Sequence, residues 1–360
     1  MPEPPSPARP PATPLPANPH AVRGWFEAAA ELTLPVADGG GLETARTAAL
    51  AFARAAKAAN TRRAYRAGVR AWCDWCDRHG LPALPARGDD VAAYLAAARV
   101  AGRAPATIEV HRAAIRYLHH LARLPVPTGD AAVGETLAGI RRTAAAAGLA
   151  PAKKGAATAE VLRAILAAIP GDLRGLRDRA LLVVGFAGAL RRAELAAIRI
   201  EHLEPTPRGL RLTLPVSKGE RSGKAVTIPL PYGEHGLCPV RAIAAWCEAA
   251  GIHDGALFRR LWVPRAARGD SPPPPPRLGA AAIDPRTVAR VVQARATAAG
   301  YPPGALGGHS LKRGALTTGM DRGVHPARLK RLGRHRSYAV LDEYLEHGDP
   351  FDGHPLAGVL

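Results

Sequence analysis

The chain of 360 residues has few features that would cross-link it or place it in a membrane. It contains only four cysteines, too few to staple a chain of this length, so we expect free thiols and a cytoplasmic protein. Its longest apolar run, Ala180–Leu190, is much shorter than the roughly 20 residues that a membrane-spanning helix needs. No basic segment followed by an apolar stretch opens the sequence, so no signal peptide is expected. We therefore expect no membrane contact.

Acidic and aromatic residues are also scarce. Asp and Glu number 30 against 49 Lys and Arg, which gives a formal net charge of +19, and aromatic residues make up only 5%. The core must therefore be mainly aliphatic. A basic excess of this size indicates a polyanionic partner, usually nucleic acid. Only seven of the basic residues are lysine, and this skew reflects codon bias as well as selection, so charge alone does not identify the partner.

Changes in composition divide the chain into four segments. Residues 1–40 begin with a proline-rich stretch that cannot bury apolar surface, which predicts a disordered tail. Residues 41–143 show helical periodicity throughout and predict an all-helical domain. Small residues, a proline and two lysines occupy 144–157, as is typical of an interdomain linker. Residues 158–360 combine helical patterns with two short alternating runs, so the predicted fold is mainly α with a small antiparallel β-hairpin or sheet in the second domain.

Several elements can be predicted individually. Asn60, Asp89 or Asp90, and Thr107 could each cap a helix in the first domain. The runs 210–214 and 225–228 flank a glycine-containing turn and predict the hairpin, whereas the proline-rich run 264–279 predicts an exposed loop. The pair Cys73 and Cys76 lies on the apolar stripe of a predicted helix with no second ligand pair nearby, so we interpret it as core rather than as a metal site.

Two motifs in the second domain carry groups that could act on a phosphate. Arg191, within LRRAEL, stands at a predicted helix start, where its guanidinium could hold a phosphate through two hydrogen bonds. The alternative interpretation is that Arg191 binds no phosphate and only forms a surface ion pair with Glu194. Lys218 stands in the hairpin turn, where it is either simply solvated or able to give a proton to a leaving oxygen.

Two further motifs lie near the end of the chain. His309 and Lys312, within GGHSLKR, are three residues apart and share a face of a predicted helix. His335, within LGRHRS, precedes Tyr344 by nine residues. Tyrosine can be a covalent nucleophile when strong electrophilic groups surround its hydroxyl. Tyr338 lies only three residues after His335 and is the alternative that this spacing disfavours.

Taken in order, these motifs resemble the signature of the tyrosine recombinase, or phage integrase, family. The segment NTRRAYRAGVRAWCDWC resembles the family's helical, SAM-like core-binding domain, and DPFDGHPLAGVL is similar to the tails of integrases on mobile elements. The resemblance covers roughly residues 42–360. Five ordered matches are far more specific than any single one. The resemblance implies the catalytic residues Arg191, Lys218, His309, Lys312, His335 and Tyr344.

The resemblance also implies an activity and partners. It implies a site-specific recombinase whose two domains clamp duplex DNA, cut it through a 3′-phosphotyrosyl link to Tyr344 and rejoin it during integration or excision, without a cofactor or metal. It implies four protomers on two DNA segments, and a monomer or weak oligomer without DNA. Candidate DNA-contacting residues are Arg62, Arg63, Arg66, His111, Arg112, Arg116, Lys153, Lys154 and Arg313.

One position departs from the family pattern. The family has arginine where this chain has Lys312, and lysine cannot form a two-pronged hydrogen bond to phosphate. Lys312 could serve with a slower chemical step, Arg313 could substitute for it, or the enzyme could be inactive; we favour service by Lys312. If Lys312 impairs the chemistry, the alternative function is a catalytically impaired DNA-binding protein with the same fold. A second alternative is a nicking-closing enzyme resembling type IB topoisomerases, which shares the same catalytic groups.

Overall fold

The computed structural model describes residues 18–30, 41–55, 57–148, 154–214, 225–234, 236–262, 275–342 and 344–345. The chain divides into two compact units, Met1–Pro151 and Ala152–Leu360. The first is helical, and the second combines helices with two small antiparallel sheets. The predicted fold class is confirmed. Among the described residues, no helix combines the length and apolar character needed to cross a membrane.

The first unit is built around an aromatic and aliphatic core. Its described helices are α1 (Pro19–Ala30), α2 (Leu42–Ala55), α3 (Ala59–His79), α4 (Gly88–Val100), α5 (Pro105–Ala122) and α6 (Ala131–Ala146). Helix α3 packs against α1 and α5, and α4 packs against α6. The fully buried Trp72 indole donates to the carbonyl of Ala83 at 3.0 Å. Cys73 and Cys76 are buried in this core, and burial raises the pKa of the Cys73 thiol to about 12.

The predicted limits of the tail and linker need correction. Helix α1 lies within the segment that was predicted to be disordered. This segment forms a packed helix because Val22 and Phe26, one turn apart, are both buried in the core of the first unit. Helix α6 continues to Ala146, beyond the predicted end of the domain. Ala157 belongs to the second unit, where its N–H donates to the carbonyl of Ser310 at 3.0 Å. The predicted linker was therefore too long at both ends; residues 149–153 lie outside the described residues.

Three predicted helix caps were also wrong. Helices α3, α4 and α5 begin at Ala59, Gly88 and Pro105, so each starts before the polar residue that was expected to cap it. Proline is favourable in the first turn of α5 because the missing N–H has no intrahelical partner there. The predicted end of α3 is confirmed, since Gly80 follows His79 in the left-handed conformation with φ +66°.

The second unit has eight described helices and five strands. They are α7 (Ala159–Ala167), α8 (Leu173–Ala187), α9 (Arg192–Ala196), β1 (Leu203–Thr206), β2 (Gly209–Leu214), β3 (Val226–Pro231), α10 (Pro239–Ala250), β4 (Arg259–Trp262), β5 (Arg277–Ala282), α11 (Pro285–Ala298), α12 (Ser310–Asp321), α13 (Pro326–Gly333) and α14 (Tyr338–Asp342). Helix α8 is its centre and packs against α10 and α12. Such a packed frame fixes the starting points of α9 and α12.

The predicted hairpin is present and belongs to a larger sheet. Strands β2 and β3 pair antiparallel, with Leu212 opposite Ile228, and β1 adds a third strand beside β2. A second sheet pairs β4 with β5, so part of the run predicted as an exposed loop is a strand. The hairpin turn, 215–224, and residues 263–274 lie outside the described residues.

Helix α12 approaches the chain before α7 so closely that only glycine fits at position 314. A Cβ atom added to Gly314 would lie 1.7 Å from the Ala157 carbonyl oxygen, which is backbone and cannot move aside. We expect Gly314→Ala to destabilise the second unit by about 1–3 kcal/mol through overpacking. Urea unfolding measures this loss. Gly171→Ala is the control, because a Cβ added there would have no atom within 4 Å; equal stability of both variants contradicts the packing.

Candidate active site

Four segments of the second unit bring the predicted residues into one region. Arg191 immediately precedes α9, and His309 immediately precedes α12, which carries Lys312 in its first turn. His335 follows the end of α13, and Tyr344 follows α14. The site is therefore assembled from segments that are far apart in sequence and held by packing around α8 and α12.

Arg191 is oriented by the buried carboxylate of Glu194. One guanidinium nitrogen of Arg191 donates to Glu194 Oε1 at 2.7 Å, and the Arg191 backbone N–H donates to Oε2 at 2.8 Å. The Arg191 side chain keeps 33% of its surface exposed, whereas Glu194 keeps 7%. The ion pair anticipated as an ordinary alternative is thus present. It holds a guanidinium that remains open to a ligand.

Lys312 and Arg313 point in different directions. Lys312 is fully buried, and its ammonium donates to the carbonyl of Gly333. Its Nζ lies 5.4 Å from the centroid of the Tyr344 ring. The Arg313 guanidinium donates to the carbonyl of Lys154. Of the two basic residues that could replace the family's arginine, the structure brings Lys312 to the tyrosine.

Tyr344 lies among the other predicted groups. Its ring centroid is 4.6 Å from that of His335 and 6.3 Å from that of His309, both in edge-on arrangements. Tyr344 also packs against a small apolar cluster that includes Leu341 and Leu345. The Tyr344 N–H donates to the Leu341 carbonyl at 2.8 Å, which fixes the backbone after α14. A single phenol thus has two imidazoles and one ammonium around it.

The positive charges of the site lower the pKa values of its two histidines. Burial, followed by the charges of Arg192, Lys312 and Arg191, lowers the pKa of His309. Burial, followed by the charges of Lys312, Arg191 and Arg334, lowers the pKa of His335 to about 4. Both imidazoles are therefore neutral at pH 7. Because the Arg191 charge acts on both rings and on Lys312, its guanidinium lies within electrostatic reach of the whole group.

His335 is buried, and it has no hydrogen-bond partner in the part of the chain that the structure describes. Neither of its ring nitrogens finds a partner among the described residues, although only 8% of the residue is exposed. Gly333 makes room for the ring, since a Cβ there would lie 2.4 Å from a carbon of the imidazole. Buried polar atoms normally have partners. The imidazole of His335 can therefore accept a hydrogen-bond partner that a ligand supplies.

Two residues of the site have no role that the sequence motifs assign. Glu194 was expected only as a surface partner of Arg191. Arg334 was part of the motif LGRHRS, but no role was predicted for it. Arg334 donates to Glu194 Oε2 at 2.8 Å, so one carboxylate joins two arginines. Although burial raises it, the charges of Arg334 and Arg191 hold the pKa of Glu194 below its ordinary value. In the sequence, only the spacing of three residues between Arg191 and Glu194 indicated that Glu194 would contact Arg191.

The predicted DNA-contacting residues of the first unit lie on α3 and α5. Arg62 donates to the Lys57 carbonyl at 3.1 Å, and Arg63 donates to Asn60 at 3.2 Å. Arg112 pairs with Glu109 at 3.0 Å, and Arg116 contacts His120 at 3.4 Å. Arg66 is half-buried on α3. All of these interactions are local, so their side chains can be redirected to a ligand at small cost.

His111 differs from these arginines. It is half-buried, its Nδ1 lies 2.8 Å from the Tyr94 hydroxyl, and its ring stacks on that of Tyr94. Burial and the charge of Arg103 lower its pKa. It is therefore part of the packing of the first unit as well as a predicted contact.

Two of the remaining predicted residues, Lys218 and Lys153, lie outside the described residues. Lys154 donates to the carbonyl of Gly304. Among the described residues, no group of three or more His, Cys, Asp or Glu side chains is arranged to hold a metal ion.

The burial of Lys312 predicts a pH-dependent stability. Burial, followed by the charges of Arg191 and Arg334, lowers the pKa of Lys312 from 10.5 to about 7. Between these values the unfolded chain binds a proton that the folded chain lacks, so folding becomes more favourable as pH rises. We compare the free energy of unfolding of the wild type with that of Lys312→Met. Between pH 8 and 9 we expect the difference to change in favour of the wild type by about 1.4 kcal/mol per pH unit. Thermal unfolding at both pH values checks this; a pH-independent difference contradicts it.

The fold is that of recombinases whose structures are solved. The XerH site-specific recombinase, in a post-cleavage complex with palindromic difH substrate, aligns with a TM-score of 0.61 at 11% identity over 96% of this chain and 97% of that one. A lambda integrase fragment, solved as a dimer bound to a COC′ core site, aligns with a TM-score of 0.53 at 16% identity over 80% of this chain and 89% of that one. The chain therefore shares the fold of these two enzymes over most of its length.

Sequence comparison gives the family. The phage integrase N-terminal SAM-like domain matches residues 50–124. An integrase/recombinase XerD homolog from Selenomonas ruminantium is 31% identical over 309 residues, which cover 83% of this chain and 85% of that protein. Recombinase Cre of Escherichia phage P1 is 24% identical over 294 residues, 79% of this chain and 83% of that protein. The chain belongs to the tyrosine recombinase, or phage integrase, family and is a site-specific recombinase, as its ordered motifs predicted.

Proposed function

We propose that this chain cuts one strand of duplex DNA at a defined site by attack of the Tyr344 hydroxyl on a backbone phosphorus. A bond forms between phosphorus and the phenol oxygen as the bond to the 5′ oxygen breaks. The products are a 3′-phosphotyrosyl link and a free 5′-hydroxyl. The observation that carries the proposal is the arrangement around Tyr344, where Lys312 and two imidazoles surround one phenol under the field of Arg191.

The positively charged groups would neutralise the negative charge that opposes attack on the phosphate. Negative oxygens shield the phosphorus, and further charge develops on them in the transition state. The exposed guanidinium of Arg191 would hold the non-bridging oxygens in a partly desolvated site. Lys312 would do the same as an ammonium, because the negative charge of the bound phosphate raises the pKa of the buried amine and favours its protonated form. Both groups are already positioned by protein acceptors, Glu194 and the Gly333 carbonyl, so little reorganisation is needed when DNA arrives.

His335 is the group best suited to donate a neutral hydrogen bond to the phosphate. Its ring is neutral at pH 7, so one nitrogen carries a proton and can donate. Without a ligand both nitrogens lack partners among the described residues, which is unfavourable for buried polar atoms. A phosphate oxygen would remove that cost, and binding would therefore draw the scissile phosphate towards Tyr344.

Each proton in the reaction also has a destination. A tyrosine hydroxyl has an ordinary pKa of about 10, so its proton must be removed during attack. His309 is neutral at pH 7 and lies beside the Tyr344 ring, which suits it to accept this proton. Lys218 would protonate the departing 5′ oxygen. Because the phosphotyrosine retains the bond energy, the 5′-hydroxyl of another strand can reverse the step and join the strands.

The first unit would supply DNA contacts as the family's core-binding domain. Four of its arginines on α3 and α5 make local interactions and can face phosphates, namely Arg62, Arg63, Arg112 and Arg116. The half-buried Arg66 on α3 would join them. Lys153, Lys154 and Arg313 would add contacts from the second unit. Contacts of this kind position the protein and give affinity that falls steeply with salt. The two units are thus proposed as a core-binding domain and a catalytic domain.

The proposed reaction requires two duplexes, because each cut strand must find a new partner. We propose a homotetramer on two DNA segments and a monomer or weak oligomer without DNA. The proposed role is the integration or excision of a mobile element. The relatives with DNA in their structures support duplex DNA as the substrate.

The test uses the full chain and nicked duplexes tiled across the genomic DNA on both sides of its gene. A nick beside the scissile phosphate releases a short fragment and traps the covalent intermediate. We expect a protease-sensitive protein–DNA adduct, linked through the 3′ phosphate, on only a few of the duplexes. Relaxation of any supercoiled plasmid without such a site would instead support a topoisomerase-like enzyme, and binding without any adduct would support a silent DNA-binding protein.

A further inference from the structure

The end of α13 and the turn that follows it contact three parts of the proposed catalytic group. The carbonyl of Gly333 accepts from Lys312, the guanidinium of Arg334 donates to Glu194, and the ring of His335 contacts the ring of Tyr344. Three consecutive residues therefore link the ammonium, the carboxylate that holds Arg191, and the phenol. The middle one, Arg334, has no role in the reaction proposed above.

The guanidinium of Arg334 joins two backbone turns. One terminal nitrogen donates to the carbonyl of Gly188 at 3.0 Å and to that of Leu332 at 2.8 Å, and the other donates to Ala189 at 2.7 Å. Both Arg334 and Ala189 have left-handed backbones, with φ +53° and +43°, which non-glycine residues adopt only when their surroundings hold them there. The turn at 188–190 leads directly into Arg191. Arg334 thus ties the segment before Arg191 to the segment before His335.

Arg334 also completes the charge balance around Glu194. The carboxylate is 7% exposed and accepts from Arg191 on one oxygen and from Arg334 on the other. With two guanidinium groups on one carboxylate, the triad keeps a net positive charge. Without Arg334, Glu194 would be paired with Arg191 alone and would neutralise it. An arginine neutralised in this way stabilises a phosphate less well.

We propose that Arg334 is a positioning residue for strand cleavage: acting through Glu194 and the 188–190 turn, it aligns Arg191 and preserves its charge for the scissile phosphate. Arg334 does not itself hold the phosphate, since its two terminal nitrogens already donate to four protein acceptors. This inference rests on the proposed function. Its test is therefore run on the nicked duplex that gives an adduct with the wild type.

The experiment measures single-turnover adduct formation at saturating DNA for Arg334→Met and Arg334→Lys. We expect Arg334→Met to slow cleavage at least about 30-fold, less than the roughly 10²- to 10³-fold effect of removing a preorganised donor itself, because Arg334 acts through Arg191. The DNA concentration at half-saturation should change less than about threefold. Arg334→Lys keeps the charge but cannot span four acceptors, so its cleavage rate should lie between that of the wild type and that of Arg334→Met. Arg336→Met is the matched control, because Arg336 is an exposed neighbour; it should cleave at the wild-type rate.

Two further readouts separate positioning from a merely structural role. If Arg334 acts through Glu194, the Arg334→Met change should slow a Glu194→Gln enzyme by less than about threefold, whereas independent effects would multiply. The Arg334 charge also lowers the pKa of Lys312 and His335, so removing it should move the pH–rate profile to higher pH.

The outcomes distinguish failure of this inference from failure of the proposed function. An Arg334→Met enzyme that cleaves within threefold of the wild type overturns this inference alone, and so does a loss that multiplies fully in the Glu194→Gln background. If the methionine variant does not fold, Arg334→Lys decides the question, since a wild-type rate for it would exclude any need for the guanidinium fork. Absence of an adduct with the wild type on every duplex would instead reject the proposed function.

Discussion

Tyr344→Phe is expected to form no covalent adduct with the nicked duplex that traps the wild-type chain. The change removes only the phenol oxygen, so the contacts of the ring with His335, His309 and Lys312 can persist. DNA affinity should remain within about threefold of the wild-type value, since most affinity comes from phosphate contacts elsewhere. A denaturing gel with end-labelled DNA gives the adduct yield, and a mobility-shift titration gives the affinity.

The matched control is Tyr338→Phe. Tyr338 is 53% exposed, and its ring contacts Lys330 rather than the catalytic group. We expect this variant to form the adduct at the wild-type rate. Adduct formation by Tyr344→Phe together with its loss in Tyr338→Phe would show that Tyr338 is the nucleophile.

Lys312→Ala should slow cleavage about 10²- to 10³-fold, which is the usual effect of removing one preorganised donor from a transition state. The ammonium of Lys312 is buried and lies 5.4 Å from the centre of the Tyr344 ring. Its loss should act on the rate at saturating DNA more than on affinity. Single-turnover cleavage with wild type and variant over a range of DNA concentrations separates the two effects.

Arg313→Met distinguishes Lys312 from its neighbour. The Arg313 guanidinium donates to the carbonyl of Lys154, so its loss should lower thermal stability and DNA affinity while most of the cleavage rate at saturating DNA is kept. If Lys312→Ala cleaves normally and Arg313→Met does not cleave, Arg313 is the residue that replaces the family's arginine. Inactivity of the wild type would leave only the third possibility, a silent enzyme.

Local sequence patterns were sufficient for much of the fold. The apolar stripe of α3 and the left-handed Gly80 that ends it are determined by neighbouring residues, and periodicity predicted both. The alternating runs predicted strands β2 and β3 because their side chains alternate between core and solvent. Helix α1 was missed because the prolines before it dominate the composition of the segment. Its packing comes from the buried Val22 and Phe26 together with the partly buried Trp25.

The site was predictable to the extent that family motifs record it. The family resemblance implied the catalytic residues Arg191, His309, Lys312, His335 and Tyr344. The structure places these five in one region of the second unit, and their catalytic roles stay a prediction. Arg334 could not be predicted, because its partners Gly188, Ala189 and Glu194 lie about 140 residues earlier in the chain and meet it only after folding. Whether Lys312 or Arg313 faces the tyrosine also depended on the exact start of α12, which spacing alone leaves open.

The most direct test of the proposed chemistry is to identify the amino acid that is linked to DNA in the trapped adduct. Trypsin leaves Tyr338 and Tyr344 on one peptide, because no Lys or Arg follows Arg336. Cleavage at Asp342 or Glu343 separates the two tyrosines, and mass spectrometry then locates the nucleotide remnant. We predict the remnant on Tyr344, joined through the 3′ phosphate. A remnant on Tyr338 or on any other residue contradicts the assignment of the nucleophile.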